Sequence, residues 1–127
     1  MTTQQIILYV VIGLVILFYV KRWMQRARMI EYSAAEVSRR LNDPSMLLLD
    51  VRTKEERSRK HIKGSIHIPI NELSLKINLL EPHKAKEIIC YCHSGSRSSL
   101  AAFMLSKQGF QVANMRGGMI EWNGLDL

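Results

Sequence analysis

Cysteine is scarce in this chain: 127 residues contain Cys90 and Cys92 and no others. They stand one residue apart, a spacing that suits neither a redox Cys-x-x-Cys pair nor a zinc site. The four histidines, His61, His67, His83 and His93, form no ligand pattern, so neither a metal nor another cofactor is expected. Internal repeats and low-complexity segments are also missing. Acidic residues are absent before Glu31, and charge of either sign is absent from residues 1–20. The formal net charge of +7 is therefore unevenly placed. Lys21, Arg22, Arg26 and Arg28 carry +4 of it, and from Met29 onward 14 basic residues face 11 acidic ones. An even excess of only +3 over the larger part of the chain argues against a nucleic-acid surface, and no nucleic-acid partner is expected.

What the first segment does have is apolar length. Ile6 to Val20 is an unbroken run of apolar residues with Gly13 inside it. Twenty helical residues rise about 30 Å, roughly the hydrocarbon thickness of a bilayer. The strictly apolar part is shorter than that, which puts Thr2 to Gln5 in one headgroup region and leaves Tyr9, Tyr19 and Trp23 as interfacial aromatics. A cleaved signal peptide needs its basic region before the apolar run and a small-residue cleavage site after it. Here the cations follow the run, and Lys21-Arg22-Trp23-Met24-Gln25-Arg26 is a poor cleavage site. The expectation is an uncleaved membrane helix over about 4–24 within a 1–28 anchor segment, and a second unit over 29–127. Lys and Arg beside a membrane helix tend to stay cytoplasmic. The expected arrangement is thus a single pass through a bacterial cell membrane, N-terminus outside, with the 29–127 unit in the reducing cytosol, which suits a working thiol.

The second unit alternates strand and helix signals. Ile30-Glu31-Tyr32 reads as a short first strand. Ser33 with Glu36 three residues on reads as a capping box, and Ala34, Val37 and Leu41 form a helical stripe that Asn42-Asp43-Pro44 ends. Met46 to Val51 is a continuous apolar run around Asp50, as expected of a strand covered on both faces of a parallel sheet. A charged helical patch covers Thr53 to Lys60, and a short strand covers Ser65 to Pro69. Asn71 is placed to cap a helix through Leu80. Glu87 to Tyr91 is a buried strand, Ser98 to Gln108 a helix stopped by Gly109, and Gln111 to Met115 a last strand. Gly117-Gly118 turns into a short end helix carrying Trp122. Such alternation implies an α/β fold, a mostly parallel sheet flanked by helices, here preceded by the transmembrane helix.

One loop in this order stands out for chemistry. Cys92-His93-Ser94-Gly95-Ser96-Arg97 joins the end of a strand to the start of a helix, which is where ligands bind in open α/β sheets. Backbone N–H groups of such a loop can curl around an anion, and the helix N-terminus adds positive potential. A cysteine at the head of that cradle is held as thiolate, its nucleophilic form. Arg97 supplies a fixed positive charge that closes the ring, with Ser98 beside it.

The Cys-x-x-Gly-x-Arg-Ser run at 92–98 resembles the active-site loop of the rhodanese family of sulfurtransferases. Two further stretches are similar to the same family. Asp50-Val51-Arg52, followed by His61-Ile62-Lys63-Gly64-Ser65 and Ile68-Pro69, matches its upstream signature. Arg116-Gly117-Gly118 with Trp122 matches its C-terminal one. The resemblance implies a rhodanese-like fold over 29–127, with the loop cysteine carrying sulfur as a persulfide held by backbone amides. On that reading Cys92 and Arg97 are the catalytic residues, His93, Ser94, Gly95, Ser96 and Ser98 form the substrate loop, and Asp50 and Arg52 support it. For Asp50 and Arg52, an ion pair tying the strand end to the next segment fits equally well. The family usually has an aromatic residue where Arg57 stands and a glycine where Lys60 stands, departures that bear on partner contacts along the charged patch. His61 reads as a capping or packing residue, Trp122 as core, and Cys90 as a buried strand residue with a resolving thiol as the lesser alternative.

Three function classes remain open. The favoured one is a sulfurtransferase: Cys92 takes sulfane sulfur from thiosulfate or a persulfide and passes it to a thiol, cyanide or a protein sulfur carrier. A phosphatase or arsenate reductase on the same fold is the second. Only four residues lie between Cys92 and Arg97, where a phosphate-sized pocket generally has five. The third is a non-catalytic, membrane-tethered module whose cradle merely binds an anionic group.

Overall fold

The computed structural model describes residues 1–27 and 29–127, with side chains described outside 25–28. Of the four cations expected to orient the anchor, Arg28 therefore lies outside the described residues, as does the side chain of Arg26. The first element, α1, runs Thr3–Ala27. Thr2 and Gln5 cap it reciprocally: Gln5 N donates to Thr2 Oγ1 at 3.3 Å and Thr2 N to Gln5 Oε1 at 3.0 Å. Its span Thr3–Met24 has a mean hydropathy of 2.1 and no buried part. By length and composition this helix can cross a membrane; a signal sequence passes the same test. A core helix does not fit, because the side chains from Ile6 to Val20 stand exposed along the whole run.

The rest is an α/β layer structure. Its strands are β1 (Ile30–Ser33), β2 (Met46–Asp50), β3 (Ile66–His67), β4 (Glu87–Tyr91) and β5 (Gln111–Arg116). They form one sheet in the order β1-β5-β4-β2-β3, parallel at every pairing among the described residues. All carboxyl ends thus lie on one edge, and β4 occupies the centre. Side chains in a strand alternate between faces, and the core divides accordingly. Leu47, Leu49, Ile88 and Cys90 pack on one face with Ala101, Ala102 and Leu105 of α5 (Ser96–Lys107). Leu48, Ile89, Tyr91, Ala113 and Met115 pack on the other. That face is covered by Val37 of α2 (Ala34–Ser38) and Trp122 of α6 (Gly118–Asn123). Burial on both faces is why 46–50 reads as an uninterrupted apolar run closed by a single acid.

Several boundaries differ from expectation. Ser33 does cap α2, accepting from Glu36 N at 3.1 Å, but the helix stops at Ser38 rather than reaching Leu41, which is exposed. The helix expected from Asn71 through Leu80 is instead three short pieces. A 3₁₀ turn over Ile70–Glu72, α4 (Leu73–Lys76) and a second 3₁₀ stretch over Ile77–His83 follow one another, with no capping bond from Asn71. Ile70, Leu73, Ile77 and Leu80 touch the core, while Leu75 and Leu79 face solvent, so little packing holds a regular helix together. The charged patch is a true helix, α3 (Lys54–Arg59). It starts in a full capping box, with Glu56 N donating to Thr53 Oγ1 and Thr53 N to Glu56 Oε1, both at 3.2 Å.

Candidate functional site

Cys92 follows the last residue of β4, at the carboxyl edge of the sheet's central strand, and the chain turns at Gly95 into α5. Gly95 is the N-cap of that helix at φ +105°, in the left-handed region, and a Cβ there would stand 3.3 Å from the backbone N of Gly117. The turn brings donors onto the sulfur. Gly95 N lies 3.0 Å from Cys92 Sγ and Ser98 Oγ lies 3.3 Å from it. Burial pushes the Cys92 thiol up. The Ser98 hydroxyl and the amides of Ser98, Gly95 and Ser94 outweigh that and bring it below the ordinary thiol range. His93, Ser94 and Ser96 stand exposed around the loop, whereas Cys92, Gly95 and Ser98 are buried.

The loop is held from beneath by α6. Met119 N donates to Cys92 O at 2.9 Å and Ile120 N to His93 O at 3.1 Å. Fixing these carbonyls away from the sulfur leaves the loop's N–H groups free to face it. The approach is possible because residue 118 is glycine: a Cβ there would lie 2.4 Å from Cys92 O and 2.5 Å from His93 O. Asn114, in the middle of β5, braces the same structure. Its Oδ1 lies 2.6 Å from Ser98 Oγ, so the one Ser98 hydroxyl proton is shared between Asn114 and Cys92 Sγ, and its amide donates to Gly95 O at 3.4 Å. Sequence reasoning missed Asn114, although an amide inside the otherwise apolar run of a central parallel strand is a visible signal.

Asp50 and Arg52 form a buried pair one layer behind the loop. Arg52 Nε and Nη2 donate to Asp50 at 3.0 and 2.9 Å, and Arg52 Nη2 reaches Lys60 O at 2.7 Å. Burial works against the Asp50 carboxylate, but the Arg52 side chain and amide and the Tyr91 hydroxyl hold it below its usual range. Tyr91 OH donates to Asp50 Oδ2 at 3.1 Å and the Arg52 guanidinium lies over its ring, so the pair fixes the residue preceding Cys92. Arg57 joins the cluster, donating to Asp50 Oδ2, Ser65 Oγ and Ser65 O. Its departure from the family's aromatic residue is thus absorbed by the scaffold. Lys60 sits at φ −166°, extended backbone that needs no glycine. His61 is exposed, with Nδ1 3.3 Å from Arg57 O at the end of α3, a capping position.

Arg97 lies beside Cys92 and has a partner that the sequence did not point to. Its Nη1 and Nη2 donate to Glu56 Oε1 and Oε2 at 2.6 and 2.8 Å, a bidentate pair. Bonding to Glu56 raises Arg97 above its usual range. Bonding from Arg97, against opposing burial and with help from the Thr53 amide, lowers Glu56 to about 2. Glu56, the carboxylate of this pair, is the second position that sequence reasoning missed. Cys90 is fully buried in the core under α5, and burial together with nearby Cys92 pushes its thiol up to about 12, so it stays protonated. Among the described residues no group of three or more His, Cys, Asp or Glu side chains could hold a metal.

With this geometry in view, comparison with known proteins is direct. The model of the Rhodanese-like domain family matches residues 33–125. YrkF of Bacillus subtilis (strain 168), named as a candidate sulfur carrier protein, is 44% identical over 84 residues, covering 65% of this chain and 44% of that one. The chain thus spans less than half the length of that relative. A sulfurtransferase of Allochromatium vinosum is 34% identical over 94 residues, covering 72% of this chain and 86% of the relative. Among solved structures, a rhodanese-related protein from Thermoplasma volcanium superposes with a TM-score of 0.69 at 32% identity, covering 75% of this chain and 91% of the other. The chain belongs to the rhodanese-like domain family.

Proposed function

We propose that this protein is a membrane-anchored sulfurtransferase that carries sulfane sulfur as a persulfide on Cys92. The observation that carries the reading is the convergence on one sulfur of Gly95 N at 3.0 Å and Ser98 Oγ at 3.3 Å, which holds the thiol acidic in a buried site. In the first step the Cys92 thiolate attacks the sulfane sulfur of the donor. The donor's S–S bond breaks, and its electron pair leaves with the donor remnant: sulfite from thiosulfate, a thiolate from a persulfide. In the second step a thiolate or cyanide attacks the terminal sulfur, and Cys92 leaves with the electron pair as thiolate. The amides that face Sγ stabilise the persulfide anion between the steps, as an oxyanion hole does for oxygen. Arg97 acts beside that cradle as one half of an ion pair with Glu56. The relatives named for sulfur transfer and sulfur carriage support this chemistry. Phosphate chemistry is disfavoured by the four-residue spacing and by a guanidinium already filled by a carboxylate.

The test is intact mass of the full chain in detergent, before and after a sulfane-sulfur donor. One added sulfur, lost again on adding cyanide, is the expected result; an unchanged mass with every donor refutes the reading. We further propose that α1 spans a cell membrane with the N-terminus outside and residues 29–127 in the cytosol. Lys21 and Arg22, followed in sequence by Arg26 and Arg28, carry the local charge bias. A membrane-impermeant thiol reagent should then label Cys92 only after the cells are opened. Labelling of intact cells would reverse the orientation.

A further inference from the structure

The pairing of Arg97 has a consequence for which donor the site accepts. Glu56 takes both arms of the guanidinium, at 2.6 and 2.8 Å. It is not free to swing aside, because Oε1 also accepts from Thr53 N at 3.2 Å and Thr53 Oγ1 at 3.1 Å in the capping box of α3. Two independent sets of bonds therefore fix its carboxylate. Glu56 also lines an open cleft of about 400 Å³ together with Arg59, Lys60 and His93, the loop residue that follows Cys92, so a donor entering there meets the carboxylate.

We propose that Glu56 determines donor specificity. By filling the Arg97 fork it turns the site away from donors that carry oxyanion charge on the sulfur adjoining the transferred one, thiosulfate above all, and toward persulfides of thiol compounds. This rests on the reading that Cys92 accepts sulfane sulfur. When thiosulfate reacts, the S–S bond breaks and sulfite departs with the electron pair, so its oxygens need a cation that Glu56 has already neutralised, and they face a carboxylate instead. When a persulfide R–S–SH reacts, the thiolate of Cys92 bonds to the terminal sulfur, the S–S bond breaks, and R–S⁻ leaves with the pair. The proton on the transferred sulfur passes to water. No oxyanion adjoins the breaking bond. Arg59 and Lys60 cannot make this distinction, since both are exposed on the rim and attract any anion.

The experiment compares thiosulfate with glutathione persulfide, whose carboxylates lie far from the reacting sulfur. Loading of Cys92 is measured as kcat/KM on the full chain in detergent, for the unaltered protein and Glu56→Gln. Glutamine keeps the cap, since Gln serves at that position of a capping box, and it keeps one bond to Arg97 while removing the charge. The unaltered protein should favour glutathione persulfide by about tenfold or more, and Glu56→Gln should raise kcat/KM for thiosulfate about tenfold, mainly through KM, while the persulfide value stays within about threefold. A purely structural role would move both donors together. Parallel loss with both donors, or an unaltered protein that uses thiosulfate at least as well as the persulfide, overturns the proposal. If Glu56→Gln does not fold, the donor ratio of the unaltered protein still decides. If neither donor adds sulfur to Cys92, the sulfurtransferase reading itself falls, and the mass measurement shows it.

Discussion

Replacing Cys92 by serine should reduce sulfur transfer by about 10⁴-fold or more, to background, while leaving the fold intact. A hydroxyl cannot form a persulfide, and it is far less ionised than a thiol that Gly95 N and Ser98 Oγ hold below the ordinary range. The contrast with Cys90 makes this result specific. Cys90 pairs in register with Leu49 and Asn114, fully buried, and its thiol is pushed up to about 12. Serine there would bury a hydroxyl among Leu49, Ile88 and Leu105, so alanine is the cleaner substitution. Cys90→Ala should keep transfer within about threefold. The pH profile of alkylation separates the two thiols without any donor. Because the folded-state pKa of Cys92 is lowered, its reactivity should persist to pH values below the ordinary thiol range and then fall as the thiolate is protonated. Cys90 should stay unreactive throughout. Loss of transfer in Cys90→Ala with Cys92→Ser still active would reverse the assignment.

The loop was legible because its chemistry is local. Strand, glycine turn and helix are contiguous, and the periodicities that announce them lie on either side of 92–97. Leu47-Leu48-Leu49 likewise announced a strand covered on both faces. The bonds that finish the site are not local. Glu56 and Arg97 are 41 residues apart, and Ser98 and Asn114 are 16 apart. They meet because α3 follows β2 and both β2 and β5 flank β4 in the sheet. Periodicity carries no such strand order, so Arg97 could be read as a fixed charge but not paired with Glu56, and Asn114 was left unassigned. The misread helix after Asn71 has a different cause. Leu73, Ile77 and Leu80 do recur at helical spacing, but contact with the core at three positions fixes a path over the sheet and not a regular geometry.

The third signature tests the link between fold and site. Gly118→Ala should destabilise the fold by about 3–5 kcal/mol, from overpacking against backbone and the cost of a positive φ in a residue with a Cβ. At φ +54° the added methyl would stand 2.4 Å from Cys92 O, 2.5 Å from His93 O and 2.6 Å from His93 C. None of these is the far end of a flexible side chain, so relief requires moving the loop or withdrawing α6. For a unit of this size that loss corresponds to a melting temperature lower by at least about 12 °C. Where protein still folds, transfer should fall about 100-fold, because the bonds from Met119 N and Ile120 N to the loop carbonyls lengthen and the amides lose their aim on Sγ. Gly64→Ala supplies the control. Gly64 has φ +87°, but a Cβ added there would meet nothing within 4 Å, so it carries the backbone cost alone, about 1–2 kcal/mol, with transfer unaffected. Thermal melts and persulfide transfer rates on both variants decide the matter. Equal effects of the two substitutions would mean that α6 does not hold the loop in place.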